Sequence, residues 1–65
     1  MKLQLNGASV DARVNTLADL LVAEGFGEAK VATAVNGAFV PAQMRSDHIL
    51  RAGDAIEILA PMQGG

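Results

Sequence analysis

Two Asn-Gly dipeptides, Asn6-Gly7 and Asn36-Gly37, constrain this chain more than any other feature of it. A two-residue type I′ turn needs positive φ at both central positions, and asparagine followed by glycine supplies this at low cost. Around the first pair, Leu3 and Leu5 alternate with Lys2 and Gln4. The return segment then puts Val10, Ala12 and Val14 on one face and Ser9, Asp11 and Arg13 on the other. That pattern describes an antiparallel hairpin with one wet face. Around the second pair, Val31 to Val35 leads in and Ala38-Phe39-Val40 leads out, until Pro41 ends the pattern because it cannot donate to a strand ladder. The outgoing strand is therefore expected to be short and to lie at a sheet edge.

Between the hairpins the period changes from two to the helical repeat. Leu17, Leu20 and Leu21 share one face, so the three leucines should pack on the sheet. Thr16 is placed to accept from a free backbone N–H at the helix start, and Asp19 three residues on suits both a capping box and the positive end of the helix dipole. Gly25 can take the left-handed conformation that stops a helix, and Phe26 is expected to fold back onto its base. Ala42 to Leu50 has no clean period and reads as a loop with one turn of helix, pinned to the core by Ile49 or Leu50. Arg51-Ala52-Gly53-Asp54 is a turn. Ala55-Ile56-Glu57-Ile58-Leu59 is a last strand with Ile56 and Ile58 on one face.

The order is hairpin, helix, hairpin, loop, strand. One helix crossing one face of a mixed five-stranded sheet satisfies it economically, as a β-grasp fold of the α+β class. Periodicity does not fix the strand order, and it is by analogy with that fold that the last strand is expected between the hairpins and beside the first strand. A chain of 65 residues has room for one such domain and no deep cleft, since a domain of this size buries only about 60% of the surface its unfolded chain exposes. No cysteine is present, which removes disulfides and any cysteine nucleophile, and stability must come from packing.

Composition narrows the function classes. Five Lys and Arg residues are scattered among seven Asp and Glu, for a net charge of −2. That charge and the lack of a basic face argue against a nucleic-acid partner. No continuous apolar run fits a signal peptide or membrane span, so a soluble cytoplasmic protein without a membrane partner is expected, monomeric when free. His48 is the one histidine, sits beside Asp47 in the loop, and has no further ligands in view for a metal. The carboxylates are dispersed, and Ser9, Thr16, Thr33 and Ser46 have no evident base, so a catalyst is not expected.

From Val31 onward the chain resembles the ThiS family, the sulfur carriers of thiamine biosynthesis within the ubiquitin-like β-grasp proteins. The residues that carry the resemblance are Ala34-Val35-Asn36-Gly37-Ala38-Phe39-Val40-Pro41, Leu50-Arg51-Ala52-Gly53-Asp54-Ala55-Ile56-Glu57-Ile58 and Ala60-Pro61-Met62-Gln63-Gly64-Gly65. One position departs: Ala42 stands where relatives often carry an arginine, with Arg45 the nearby candidate to replace it. The resemblance implies a β-grasp domain over residues 1–60 and a flexible diglycine tail over residues 61–65. It further implies that a ThiF-like adenylating enzyme uses ATP to activate the Gly65 carboxylate, that a persulfide donor supplies sulfur to form a thiocarboxylate, and that the thiazole synthase ThiG accepts it. The chain itself would bind no cofactor and act as a cosubstrate.

A diglycine end suits that role, because two residues without side chains can enter a narrow slot and bring a carboxylate to a buried site. A C-terminal carboxyl has a reference pKa of about 3.3–3.7, so it is ionised at neutral pH, a poor electrophile that must be activated. Extended at about 3.3–3.6 Å per residue, Pro61 to Gly65 reaches roughly 17 Å. Ordering five residues at about 1–2 kcal/mol each costs about 5–10 kcal/mol, comparable with a whole micromolar affinity near −8 kcal/mol. The tail therefore needs help from the domain. Leu59 points away from the core if Ile56 and Ile58 point in, and Phe39 does so if Val40 points in. With Pro61, Met62, Gln63 and Gly64 they are the candidate partner-binding residues, and an apolar patch of this kind often marks an interface. Two alternatives share the fold and the terminus: a ubiquitin-like modifier conjugated through Gly65, and the small-subunit sulfur carrier of molybdopterin synthase, disfavoured by Ala60-Pro61-Met62-Gln63. A third is a binding module with an incidental tail.

Overall fold

A computed structural model of the chain describes residues 1–27 and 30–60, and the expected tail, residues 61–65, lies outside them. Both Asn-Gly pairs form the turns their chemistry dictates. Asn6 and Asn36 have φ of 51° and 52°, and Gly7 and Gly37 follow at 84° and 85°. Each turn closes a hairpin: β1 (Lys2–Leu5) pairs antiparallel with β2 (Ala8–Asp11), and β3 (Ala32–Val35) with β4 (Ala38–Val40). The register sets Leu3 opposite Val10 and Thr33 opposite Val40, the residues each hairpin turns toward the core. The first return strand stops at Asp11, earlier than its alternation suggests. Ala12 and Val14 continue to pack against the core from irregular chain.

The helix α1 (Leu17–Ala23) starts on a complete capping box. The Thr16 side chain accepts from Asp19 N at 3.2 Å, and the Asp19 carboxylate accepts from Thr16 N at 3.2 Å. Hydrogen bonds from Thr16 N, then from Asn15 N, hold the Asp19 carboxyl below the ordinary aspartate value. At the other end Phe26 N donates to Leu21 O and Gly25 N to Val22 O, the paired bonds of a Schellman motif. Phe26 then packs, half-buried, against the core as expected.

The last strand, β5 (Ala55–Leu59), inserts between the hairpins and gives the sheet order β2-β1-β5-β3-β4. It runs parallel to β1 and antiparallel to β3. This is the ubiquitin-like β-grasp arrangement, with β4 the short edge strand that Pro41 foretold. Leu17, Leu20 and Leu21 cover the inner sheet face, where Leu3, Ile56 and Ile58 are buried. Between β4 and β5 the chain forms a 3-10 helix, Ala42–Asp47, and then a bridge between Thr16 and Ile49. Of the two residues expected to pin this loop, Leu50 is buried and Ile49 is exposed, because Leu50 N donates to Asn15 O and turns its side chain under the helix start. Among the described residues, no helix is long and apolar enough to cross a membrane.

Candidate functional site

The inner face of the sheet is filled by the core, and the two expected site residues within the domain, Phe39 and Leu59, belong to strands whose other face is open. The strand period settles which side chains stand there. Ile56 and Ile58 point to α1, which leaves Ala55, Glu57 and Leu59 outward; Val40 points in, which leaves Phe39 outward. Leu59 is 66% exposed and Phe39 69% exposed, so neither fills a gap in the domain. Between them lies β3. Its register sets Ala32 beside Leu59, and Ala34 between Glu57 and Phe39. Two methyl groups thus form a low floor between two large apolar side chains, with the exposed Glu57 carboxylate at its margin. Apolar area of this kind is unfavourable in water and favours association.

Leu59 is also the final residue of β5, and Ala60 is the last residue described before the diglycine segment. The strand that supplies one side of the apolar strip is therefore the strand from which the chain continues to Pro61. Gly65, Gly64, Gln63, Met62 and Pro61, the other expected site residues, lie outside the described residues.

Arg45 does not supply a free guanidinium in place of the arginine that Ala42 lacks. Its Nε donates to the Thr33 hydroxyl at 3.0 Å and its Nη2 donates to the Val31 carbonyl at 2.6 Å. The buried Thr33 hydroxyl in turn donates to the Val40 carbonyl at 2.8 Å. Arg45 thus ties the 3-10 helix to β3 and to the residue before it, with Thr33 carrying the link on to β4, while Ala42 stands exposed at the start of that helix. His48 is half-buried, and its backbone carbonyl accepts from Leu17 N. Among the described residues no cluster of His, Cys, Asp and Glu could hold a metal, and there is no pocket.

Two polar groups that the sequence reading left as turn formers do more. Asn36 closes its turn and also reaches the start of β5: its N donates to Ala55 O, its Oδ1 accepts from Ala55 N at 3.0 Å, and its Nδ2 donates to Asp54 Oδ1 at 3.0 Å. Asn6 reaches the other end. Its Oδ1 accepts from Ile58 N at 2.8 Å and its Nδ2 donates to Ile58 O at 3.2 Å. No local pattern could have announced a contact spanning 52 residues of sequence.

The comparisons with known proteins agree with this geometry. The ThiS family model matches residues 3–65. A crystal structure of the thiamine biosynthesis protein ThiS from Geobacter metallireducens superposes with a TM-score of 0.84 at 28% identity, with 100% of both chains covered. An NMR solution structure of a thiamine biosynthesis protein from the same organism gives a TM-score of 0.80 at 29% identity, covering 100% of this chain and 88% of that one. No curated protein matches the sequence at a significant level.

Proposed function

This chain belongs to the ThiS family, and from that premise we propose that it carries sulfur for thiamine biosynthesis on the Gly65 carboxylate. The observation that carries the reading is the extent of the match, which runs through Gly64 and Gly65. The chemistry follows from the group. An ionised carboxylate resists attack by a sulfur nucleophile, so a carboxylate oxygen first attacks the α-phosphorus of ATP on a ThiF-like enzyme and expels pyrophosphate. The terminal sulfur of a persulfide donor then displaces AMP to give an acyl disulfide. A thiol that attacks the donor's own sulfur breaks the S–S bond, forms a donor disulfide and releases the thiocarboxylate, which ThiG consumes in forming the thiazole. The small protein contributes the acyl group, its presentation and its recognition, and the partner supplies the activation.

The outer face supports the recognition half of the reading. Phe39 and Leu59 stand 69% and 66% exposed, and Leu59 ends the strand that leads to Pro61. A partner that covers them holds the domain while its active site receives residues 61–65, which answers the entropic cost of ordering those residues. Pro61, Met62, Gln63 and Gly64 complete the contact. This chemistry belongs in the cytoplasm, where ATP is at hand.

Incubation with the adenylating enzyme, ATP and a sulfur source should exchange one oxygen of Gly65 for sulfur in the intact mass. No exchange under conditions where the enzyme is active on another carrier sinks the reading. Removing Gly64 and Gly65 should abolish the exchange and leave the unfolding transition unmoved. Leu59→Asp and Phe39→Asp should each weaken binding to the activating enzyme by tenfold or more, since each buries an unpaired charge in the contact, about 1.4 kcal/mol or more.

A further inference from the structure

The C-terminal end of β5 has a partner strand on one side only. Toward β3 it is paired through Leu59, opposite Ala32. Toward β1 the pairing consists of Gln4 opposite Ala55 and Leu5 opposite Ile56, and then β1 turns away at Asn6-Gly7 to begin the hairpin. The last backbone bond from that side is Asn6 N to Ile56 O at 2.9 Å. Side chains alternate along a strand and so do its backbone groups, so Ile58 N–H and C=O face the same side as those of Ile56, where the strand has run out. Left alone, both would be part-buried groups without a partner.

The Asn6 side chain takes that place. A carboxamide carries an acceptor oxygen and a donor NH2 group in one plane, as a peptide unit carries C=O and N–H, and both groups are engaged at once: Oδ1 accepts from Ile58 N at 2.8 Å and Nδ2 donates to Ile58 O at 3.2 Å. Asn6 therefore pairs with β5 twice, with its backbone at Ile56 and with its side chain at Ile58. The second pairing extends the sheet by one residue at Ile58, next to Leu59, the last residue of β5 before Ala60 and the diglycine segment.

We propose that Asn6 is a positioning residue for the carrier reaction: its amide acts as a surrogate strand residue that fixes the direction in which the chain leaves the domain toward Gly65. The inference rests on the carrier reading, because it supposes that residues 61–65 are presented to an activating enzyme. It differs from a turn-forming role, which Gly at position 6 would fulfil equally well. It differs also from general stabilisation of β5, which Asn36 serves at the opposite end through Ala55.

The test compares Asn6→Gly and Asn36→Gly. Both keep a turn that allows positive φ and lose one side-chain clamp, at opposite ends of β5. With both variants fully folded by their amide spectra, Asn6→Gly should raise the KM of the adenylating enzyme for the chain by about tenfold, about 1.4 kcal/mol, at unchanged kcat, while Asn36→Gly should leave KM within twofold of the parent. Hydrogen exchange at the Ile58 amide should quicken at least tenfold in Asn6→Gly and not in Asn36→Gly. Asn6→Asp keeps an acceptor for Ile58 N–H and should recover part of the protection and part of the KM, and it carries the test if Asn6→Gly does not fold. Equal KM for the parent and Asn6→Gly, or an equal rise in both glycine variants, overturns the proposal. A parent chain that is not adenylated at all overturns the carrier reading and this role with it, and intact Ile58 protection then marks that failure as one of function, with the clamp still present.

Discussion

The two Asn-Gly turns are alike in sequence and in backbone, yet they act on opposite ends of the same strand. Their φ values agree within 1° at each position. Asn36 faces an exposed corner, where its Nδ2 bonds the Asp54 carboxylate and its Oδ1 the first residue of β5. Asn6 faces a part-buried one, and both of its side-chain bonds go to the backbone of Ile58. A dipeptide can be selected for its turn and then be given different further work by whatever the fold brings alongside. Here the strand inserted between the two hairpins supplies that difference.

The largest effect should come from breaking the part-buried clamp. Asn6→Gly leaves Ile58 N–H and C=O without their partner, which costs about 1–3 kcal/mol for part-buried groups. For a domain of this size each kcal/mol lowers Tm by about 4–8 °C, and thermal unfolding followed by circular dichroism reads it directly. A fall below 0.5 kcal/mol, at the low edge of net hydrogen-bond values, would mean that water replaces the amide and that the two turns are energetically alike.

Next come the glycines, where the turns should behave identically. A methyl group at Gly7 or Gly37 would meet no atom within 4 Å, so the whole cost of Gly7→Ala or Gly37→Ala is the left-handed backbone, roughly 1–2 kcal/mol in each. Unequal losses in urea titrations would show that one backbone is held more tightly than φ alone reveals. Asn36→Gly should cost least, about 0.5 kcal/mol, since its bonds are exposed and water can take them over.

The smallest effect separates the turns by pH. The Asp54 carboxyl is held below its ordinary value, first by the Arg51 backbone N–H and then by the Asn36 amide. A carboxyl whose folded pKa is depressed adds stability that is present above its unfolded pKa, about 3.9, and is lost as pH falls through the lower folded value. The deficit of Asn36→Gly relative to the parent should therefore shrink as pH drops below about 4, whereas the deficit of Asn6→Gly, which involves only amide and backbone groups, should not change through that window. Denaturant midpoints measured from pH 6 down to pH 3 would check both halves.

Much of the fold was legible because its signals are local. Thr16 and Asp19 marked the helix start through bonds within three residues, Leu17, Leu20 and Leu21 marked its buried face, and Pro41 marked β4 as an edge. Tertiary contacts decide the rest. The return strand β2 ends at Asp11 although Ala12 and Val14 continue its alternation, and Leu50 rather than Ile49 enters the core because Asn15 O fixes the backbone there. Arg45 was the nearby candidate to replace the arginine that Ala42 lacks, and its bonds to the Thr33 hydroxyl and the Val31 carbonyl engage it within the domain.

By itself the sequence determined the turns, the helix limits, the inward and outward faces of each strand and, through Gly64-Gly65, the kind of chemistry the carrier reading requires. Those properties rest on φ preferences, side-chain period and the reactivity of a terminal carboxylate, all set within a few residues. Only the tertiary structure decided that Ala32 and Ala34 floor the strip between Leu59 and Phe39, that Arg45 faces inward, and that Asn6 reaches Ile58. Each of these joins residues that are distant in sequence, and what brings them together is β5 burying Ile56 and Ile58 between two hairpins, a choice made by the core as a whole and by no single segment of it.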